Sequence, residues 1–279
     1  MQELLDLFSY AFMQRALLGG LAVAVMAGLV GTFVVQRGLS FLGDGLAHAS
    51  FGGLALGALI GAFSAGTDLL QQPLLIAVPF TVAVALGIAF VRDRTGLASD
   101  SVIGVFFAVA AALAVLFISI IPAERSTVNV ESLLFGSILA VGRTDLTVIL
   151  VTAAVTVATM LLLWPRLAYA TFDSELARTD GVKTRQLEYV LFVVSALVVV
   201  VSAQMVGVIL LAAYLVIPAA AARLVARSLI TMTLLAIAAG VVSTLGGLVL
   251  SWAFNVPSGS VIILSQAVLF VLAAVFRRS

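Results

Sequence analysis

Nine stretches of this chain are apolar over the length needed to cross a lipid bilayer. They run over residues 14–36, 44–63, 73–91, 101–121, 144–165, 187–203, 205–222, 228–252 and 259–276. About 20 mainly apolar residues, at about 1.5 Å rise each, span a hydrocarbon core of about 30 Å. Each stretch therefore predicts one transmembrane helix. Only Gln204 and its neighbours divide the sixth from the seventh, so eight and ten crossings are the nearest alternatives. A further apolar piece, 132–141, is too short to cross and reads as a re-entrant or interfacial segment. The polar intervals are short. The longest, 165–186, is too small for a folded domain of its own. The pattern predicts an all-α, polytopic membrane protein whose residues 1–279 form a single transmembrane domain.

Composition narrows the picture. The chain is 63% hydrophobic and 10% charged, with a mean hydropathy of +1.27. Soluble domains carry about 25% charged residues, so a water-soluble enzyme and a disordered chain are both excluded. There is no cysteine, which removes disulfides, thiolate metal sites and iron–sulfur clusters. A net charge of +1 gives no reason to expect nucleic acid as a partner. No phosphate-binding glycine loop is present, so ATP-driven work would need an ATPase on another polypeptide. The opening MQELLDLFSYAFMQ has no basic region and does not read as a cleaved signal peptide.

The basic residues set an expected orientation, because cytoplasmic loops are enriched in Lys and Arg. With the N-terminus outside and nine crossings, Arg37, Arg92, Arg94, Arg166, Arg178, Lys183, Arg185, Arg223, Arg227, Arg277 and Arg278 fall inside. Only Arg15, Arg125 and Arg143 fall outside. The segment 64–72 has no basic residue, as an outside loop should. The expectation is N-out and C-in.

Against this background one ionisable pair stands apart. Ionisable residues within a membrane are costly and usually functional. If the second span runs from Arg37, His48 lies roughly 16 Å along it, near mid-membrane, with Asp44 one turn closer to the cytoplasm. The i, i+4 spacing puts both on one helix face. A carboxylate oxygen and an imidazole nitrogen suit a borderline divalent cation such as Zn²⁺ or Mn²⁺. One Asp and one His, the sole histidine of the chain, are too few to close a metal site. Two copies of the chain would bring four ligands together. The competing readings are a hydrogen-bonded pair that locks two helices, and a proton relay. The same helix carries Gly45, Ala49, Gly53, Gly57 and Gly61, a stripe of small residues that lets another helix approach closely.

Two further features concern the cytoplasmic side. In 169–185, Thr171 or Asp173 can cap a helix of about two turns, with Glu175 in its first turn and Gly181 at its end. Such a helix has little to bury alone and reads as a docking element, or otherwise as an interfacial loop. Asp100 opens the fourth span and reads as its N-cap.

Together these pieces resemble the permease subunits of zinc- and manganese-uptake ABC transporters. The stretch 37–57, RGLSFLGDGLAHASFGGLALG, resembles that family's "GD…HA" signature on an early helix, and Asp44 and His48 match its acid and histidine. The run Ser99-Asp100-Ser101-Val102-Ile103-Gly104 resembles its "D-[ST]-x-IG" helix start. Phe172-Asp173-Ser174-Glu175-Leu176-Ala177 through Gly181 resembles its "FDPE-x-A-x-x-x-G" cytoplasmic loop. Val206-Gly207 through Ile217-Pro218-Ala219-Ala220-Ala221-Ala222-Arg223 resembles its "VG-x-LL" and "IPAATA" stretch, and Pro257-Ser258-Gly259 is a weaker match. The matches follow in order over nearly the whole length. Ser174 departs from the usual proline of the loop, and Gly53 stands where several members have Pro or Leu.

The resemblance implies an all-helical fold similar to the importers of siderophores and vitamin B12, in a prokaryotic cytoplasmic membrane. It implies a transport subunit, not an enzyme, importing a divalent metal with zinc favoured and manganese next. Asp44 and His48 would be transient ligands of the transported ion, with no permanently bound cofactor. Phe172, Asp173, Glu175, Ala177 and Gly181, within a coupling segment of about 168–185, would transmit motion from a cytoplasmic ATP-binding cassette subunit. The other expected partners are a second permease chain, most simply an identical one, and an extracytoplasmic metal-binding protein. The rival readings are a proton-coupled secondary transporter, a permease for iron-chelate complexes, and an intramembrane enzyme. The last lacks further ligands.

Overall fold

The computed structural model describes residues 10–63, 72–122, 134, 136 and 141–276, with the backbone alone at 204. These residues fold into ten helices: α1 (Ala11–Gln36), α2 (Leu42–Phe63), α3 (Pro73–Thr95), α4 (Ser99–Ile120), α5 (Arg143–Phe172), α6 (Ser174–Thr179), α7 (Thr184–Val206), α8 (Val208–Val225), α9 (Leu229–Phe254) and α10 (Ser258–Val275). Among the described residues nine helices, all but α6, are long and apolar enough to cross a membrane. Successive spans alternate in direction. One end of the bundle thus gathers the ends of α1, α3, α5, α8 and α10 and the starts of α2, α4, α7 and α9, together with α6.

Local chemistry places the turns. The N–H of Gly38, in the left-handed region at φ 68°, donates to the Val35 carbonyl, and that of Leu39 donates to Val34. This pair of bonds is the glycine-terminated helix ending in which a residue free of a Cβ closes the last turn. It stops α1 before Arg37 can begin a new helix. α2 therefore starts at Leu42, not near Arg37, and His48 lies only about 9 Å into it. The pair sits nearer the basic end than a continuous helix from Arg37 would place it.

The expected polar interval 165–186 is also shorter than anticipated. α5 runs through the exposed Pro165 to Phe172, since one proline removes one backbone bond while Leu167 and Ala170 beyond it are buried and hold the continuation. The division of the sixth and seventh spans falls at Gly207, with φ 87° and ψ 149°, rather than at Gln204. The described Gly136 sits so close to the Val206–Gly207 backbone that a side chain there would clash. Leu134 packs against the core, and the rest of 132–140 lies outside the described residues, as do 64–71, Arg125, Arg277 and Arg278.

α1, α2 and α7 form the interior, while α4, α5 and α10 lie at the periphery with wide exposed apolar faces. α2 packs most extensively on α3 and α4, and α1 on α9. Arginines fasten the basic end. The Arg37 guanidinium donates through Nε to Thr171 Oγ1 at 2.9 Å and through Nη2 to the Leu167 carbonyl at 3.4 Å. Arg223 donates to the Val35 carbonyl at 3.1 Å. Cations at helix C-termini satisfy free carbonyls and offset the negative end of the dipole. Arg92 pairs with Glu188, and Arg185 with Asp93 at 2.6 Å, tying α3 to α7.

Candidate functional site

α2 has two unlike faces. On one, the small residues allow backbone contact. A Cβ on Gly53 would lie 2.8 Å from the Ala77 Cα, and one on Gly57 would lie 2.7 Å from the Pro73 Cα, both on α3. A Cβ on Gly45 would lie 2.5 Å from Ile103 Cγ2 on α4. Ala49 is fully buried, and Gly61, near the far end of the helix, is partly exposed. The tight contacts of the stripe are thus made within the chain. The Gly53 backbone approach leaves no room for the Pro or Leu found in other sequences of the resembling family.

The other face carries Asp44 and His48, with Phe41 just before the helix, and these stay at least partly exposed while the first half of α2 is otherwise buried. The His48 side chain is 25% exposed and that of Asp44 34%. His48 Nδ1 lies 3.2 Å from the backbone carbonyl of Asp44 but 3.9 Å from its Oδ1. The carboxylate and imidazole are therefore neighbours that do not satisfy each other. With Nδ1–H donating to the carbonyl, Nε2 keeps its lone pair, the arrangement in which a ring nitrogen ligates a metal. Among the described residues no Lys or Arg pairs with Asp44. Nor does any group of three His, Asp or Glu residues there assemble into a closed metal site.

Phe107 of α4 covers the imidazole, with ring centroids 4.1 Å apart, and Phe41 lies 6.1 Å from Phe107. Sequence reasoning missed this aromatic cover. No local pattern marks Phe107, because only the α2–α4 contact brings it to His48. Asp100 is likewise not the cap of α4. Ala98 occupies that position without a side-chain bond, and Asp100 stands in the first turn, where its charge still favours the helix dipole.

The helix expected within 169–185 is present as α6 but is shorter than two full turns. Asp173 is its N-cap, its Oδ1 accepting from the Leu176 N–H at 2.9 Å. Thr171, the other candidate cap, belongs to α5 and donates to the Leu167 carbonyl. Gly181, at φ 81°, ends the element, with the Val182 N–H donating back to Ala177. Ala177 is buried, Glu175 is exposed, and Phe172 and Leu176 present apolar surface at 64% and 50% exposure. Phe172 also borders a cavity of about 250 Å³ with Gln36, Arg223 and Arg227.

Nine helices of membrane-spanning length and apolarity among the described residues, with a capped surface helix at the basic end, define a multi-pass membrane protein. The profile of the ABC 3 transport family matches residues 9–277, and the chain belongs to that family. It is 33% identical over 271 residues to the manganese transport system membrane protein MntC of Listeria monocytogenes, covering 97% of this chain and 92% of that one. It is also 33% identical to the manganese import system permease protein ScaB of Streptococcus gordonii, over 96% and 92% of the two chains. Among solved structures it superposes on a chain of PsaBC from Streptococcus pneumoniae in complex with Fab, with a TM-score of 0.83 and 31% identity, covering 98% and 94%. An inward-facing transporter described as of metal-chelate ABC type shares the fold, with a TM-score of 0.72 at 21% identity over 94% and 85%.

Proposed function

We propose that this permease imports a divalent transition metal ion, with Asp44 and His48 as ligands on its path. The observation that carries the reading is the polar face of α2. A carboxylate and an imidazole are left partly exposed there, unsatisfied by each other, on a helix otherwise packed within the chain. Such groups are costly against lipid. A second copy of the chain would cover them and complete a four-ligand site. A path ligand must also release its ion, so two contributions per chain suit transport better than a closed cage.

Manganese is the cargo favoured by the relatives, since MntC and ScaB are named for it. The sequence leaning toward zinc draws no support from those names. An Asp–His pair accommodates either ion, the carboxylate suiting manganese and the imidazole zinc, so the relatives' names carry the choice. A proton-coupled carrier is disfavoured by membership in an ABC family.

In this reading residues 1–279 act as one permease domain. The basic end faces the cytoplasm, and about 168–185 is its coupling segment. Phe172, Asp173, Glu175, Ala177 and Gly181 shape that segment, and exposed Phe172 and Leu176 supply apolar contact for a separate ATP-binding subunit. An extracytoplasmic binding protein would deliver metal to the opposite end. The test is uptake of manganese by vesicles holding the whole complex. ATP-dependent accumulation of manganese is expected, with excess zinc competing for the same ligands. Accumulation driven by a proton gradient without ATP overturns the assignment. For the coupling surface, Leu176→Asp is expected to leave the permease folded while losing co-purification of the ATPase, and equal recovery with the unaltered chain contradicts it.

A further inference from the structure

A second cavity, of about 430 Å³, opens between the feet of α1, α3, α5 and α7 beside α6. Its lining includes Arg37, Arg92 and Arg178 but, among the described residues, only one carboxylate, that of Glu188. Glu188 is already paired with Arg92. Arg37 meets only a hydroxyl and a carbonyl, and no described carboxylate pairs with Arg178. The lining thus keeps an excess of two positive charges, with the hydroxyls of Thr171 and Thr184 alongside. Burial, and after it the charge of Arg92, pull the Arg37 guanidinium down to about 10, which leaves it charged at neutral pH. A cavity of that sign repels a divalent cation, so it lies off any metal path.

We propose that this cavity is an anion site that takes a phosphate group, with Arg37 and Arg178 as its principal donors and Arg92, Thr171 and Thr184 completing the lining. Guanidinium forks match the oxygen geometry of phosphate. The cavity opens at the basic end of the bundle, where both lipid headgroups and soluble phosphates are available to a membrane protein. Arg178 comes from α6 and Arg37 from the end of α1, so an occupant bridges the docking element to the interior of the bundle. An acidic side chain of a docked partner fits less well, because the apolar surface of Phe172 lines a different cavity. The site is independent of which ion the permease carries.

The experiment uses the full chain in phosphatidylcholine nanodiscs at constant ionic strength. One arm titrates inorganic phosphate against chloride and follows Tm. The other adds phosphatidylglycerol without phosphate and counts retained lipid by native mass spectrometry. Occupancy is expected as a saturable Tm rise of roughly 2–4 °C, or as one retained anionic lipid per chain. Response in the first arm alone identifies a soluble phosphate, and in the second alone a headgroup. Arg178→Gln, at an exposed position, is expected to abolish the response without unfolding the chain, and Arg37→Gln to abolish it as well. No saturable response in either arm, or one that survives Arg178→Gln, overturns the proposal. It also fails if only the assembled ATPase subunit, and neither ligand, gives Arg178-dependent protection.

Discussion

The two faces of α2 are made of different material for different ends. The glycine face is shaped by what it touches inside the chain, and α3 backbone fills the space where side chains would stand. The polar face touches little beyond Phe107 and leaves its acid and imidazole unsatisfied. Packing explains the first face completely and the second not at all. The difference between a tightly fitted side and an open side is what the proposed ligand role of Asp44 and His48 rests on. The same contrast recurs in small at α6, where Ala177 is buried and Leu176 is exposed.

This contrast can be broken or sharpened by substitution. The largest expected effect on stability is at Gly53. Gly53→Leu pushes a side chain into the α3 backbone, which cannot yield as a side-chain tip would, and a loss of about 3 kcal/mol or outright misfolding is expected. Thermal unfolding in nanodiscs checks it, and a native Tm would mean that α2 and α3 are not in backbone contact. Ala177→Leu, which overfills the buried side of α6, is expected to cost roughly 2 kcal/mol locally. Hydrogen exchange confined to 174–182 reads that loss, and unchanged protection would remove Ala177 from the interior. Gly45→Ala brings its Cβ to 2.5 Å from the Cγ2 of buried Ile103, a branch methyl that moves only with χ1 or with α4, so about 1–2 kcal/mol is expected from the same Tm measurement. His48→Ala and Asp44→Asn come last. His48→Ala loses the Phe107 ring contact and Asp44→Asn a first-turn charge, so each should change stability by no more than about 1 kcal/mol. A large drop in either variant would make the pair a structural lock and erase the difference between the faces.

Much of this organisation was legible in the sequence, and for stated reasons. Nine spans could be read because twenty apolar residues in a row have one stable solution in lipid. The glycine stripe and the Asp44–His48 pair could be read because helical spacing is local. What escaped was set by contacts between distant segments or by turn geometry. The Schellman-type ending at Gly38 moved the start of α2 to Leu42 and changed the depth of the pair. α5 continued through Pro165 because Leu167 and Ala170 beyond it are buried. The cover of His48 by Phe107 and the basic cavity around Arg37 join residues far apart in the chain. In the sequence those arginines carry only an orientation signal. The structure adds that Arg37 and Arg223 fasten helix ends.

The substitutions of smallest expected effect on stability should have the largest on transport. The most direct measurement of the central claim is initial uptake of radiolabelled manganese into proteoliposomes containing the complete complex, comparing the unaltered chain with His48→Ala and Asp44→Asn. Loss of at least roughly tenfold in both variants, with assembly and Tm preserved, is the predicted result. Undiminished uptake in both variants would contradict a ligand role for the pair.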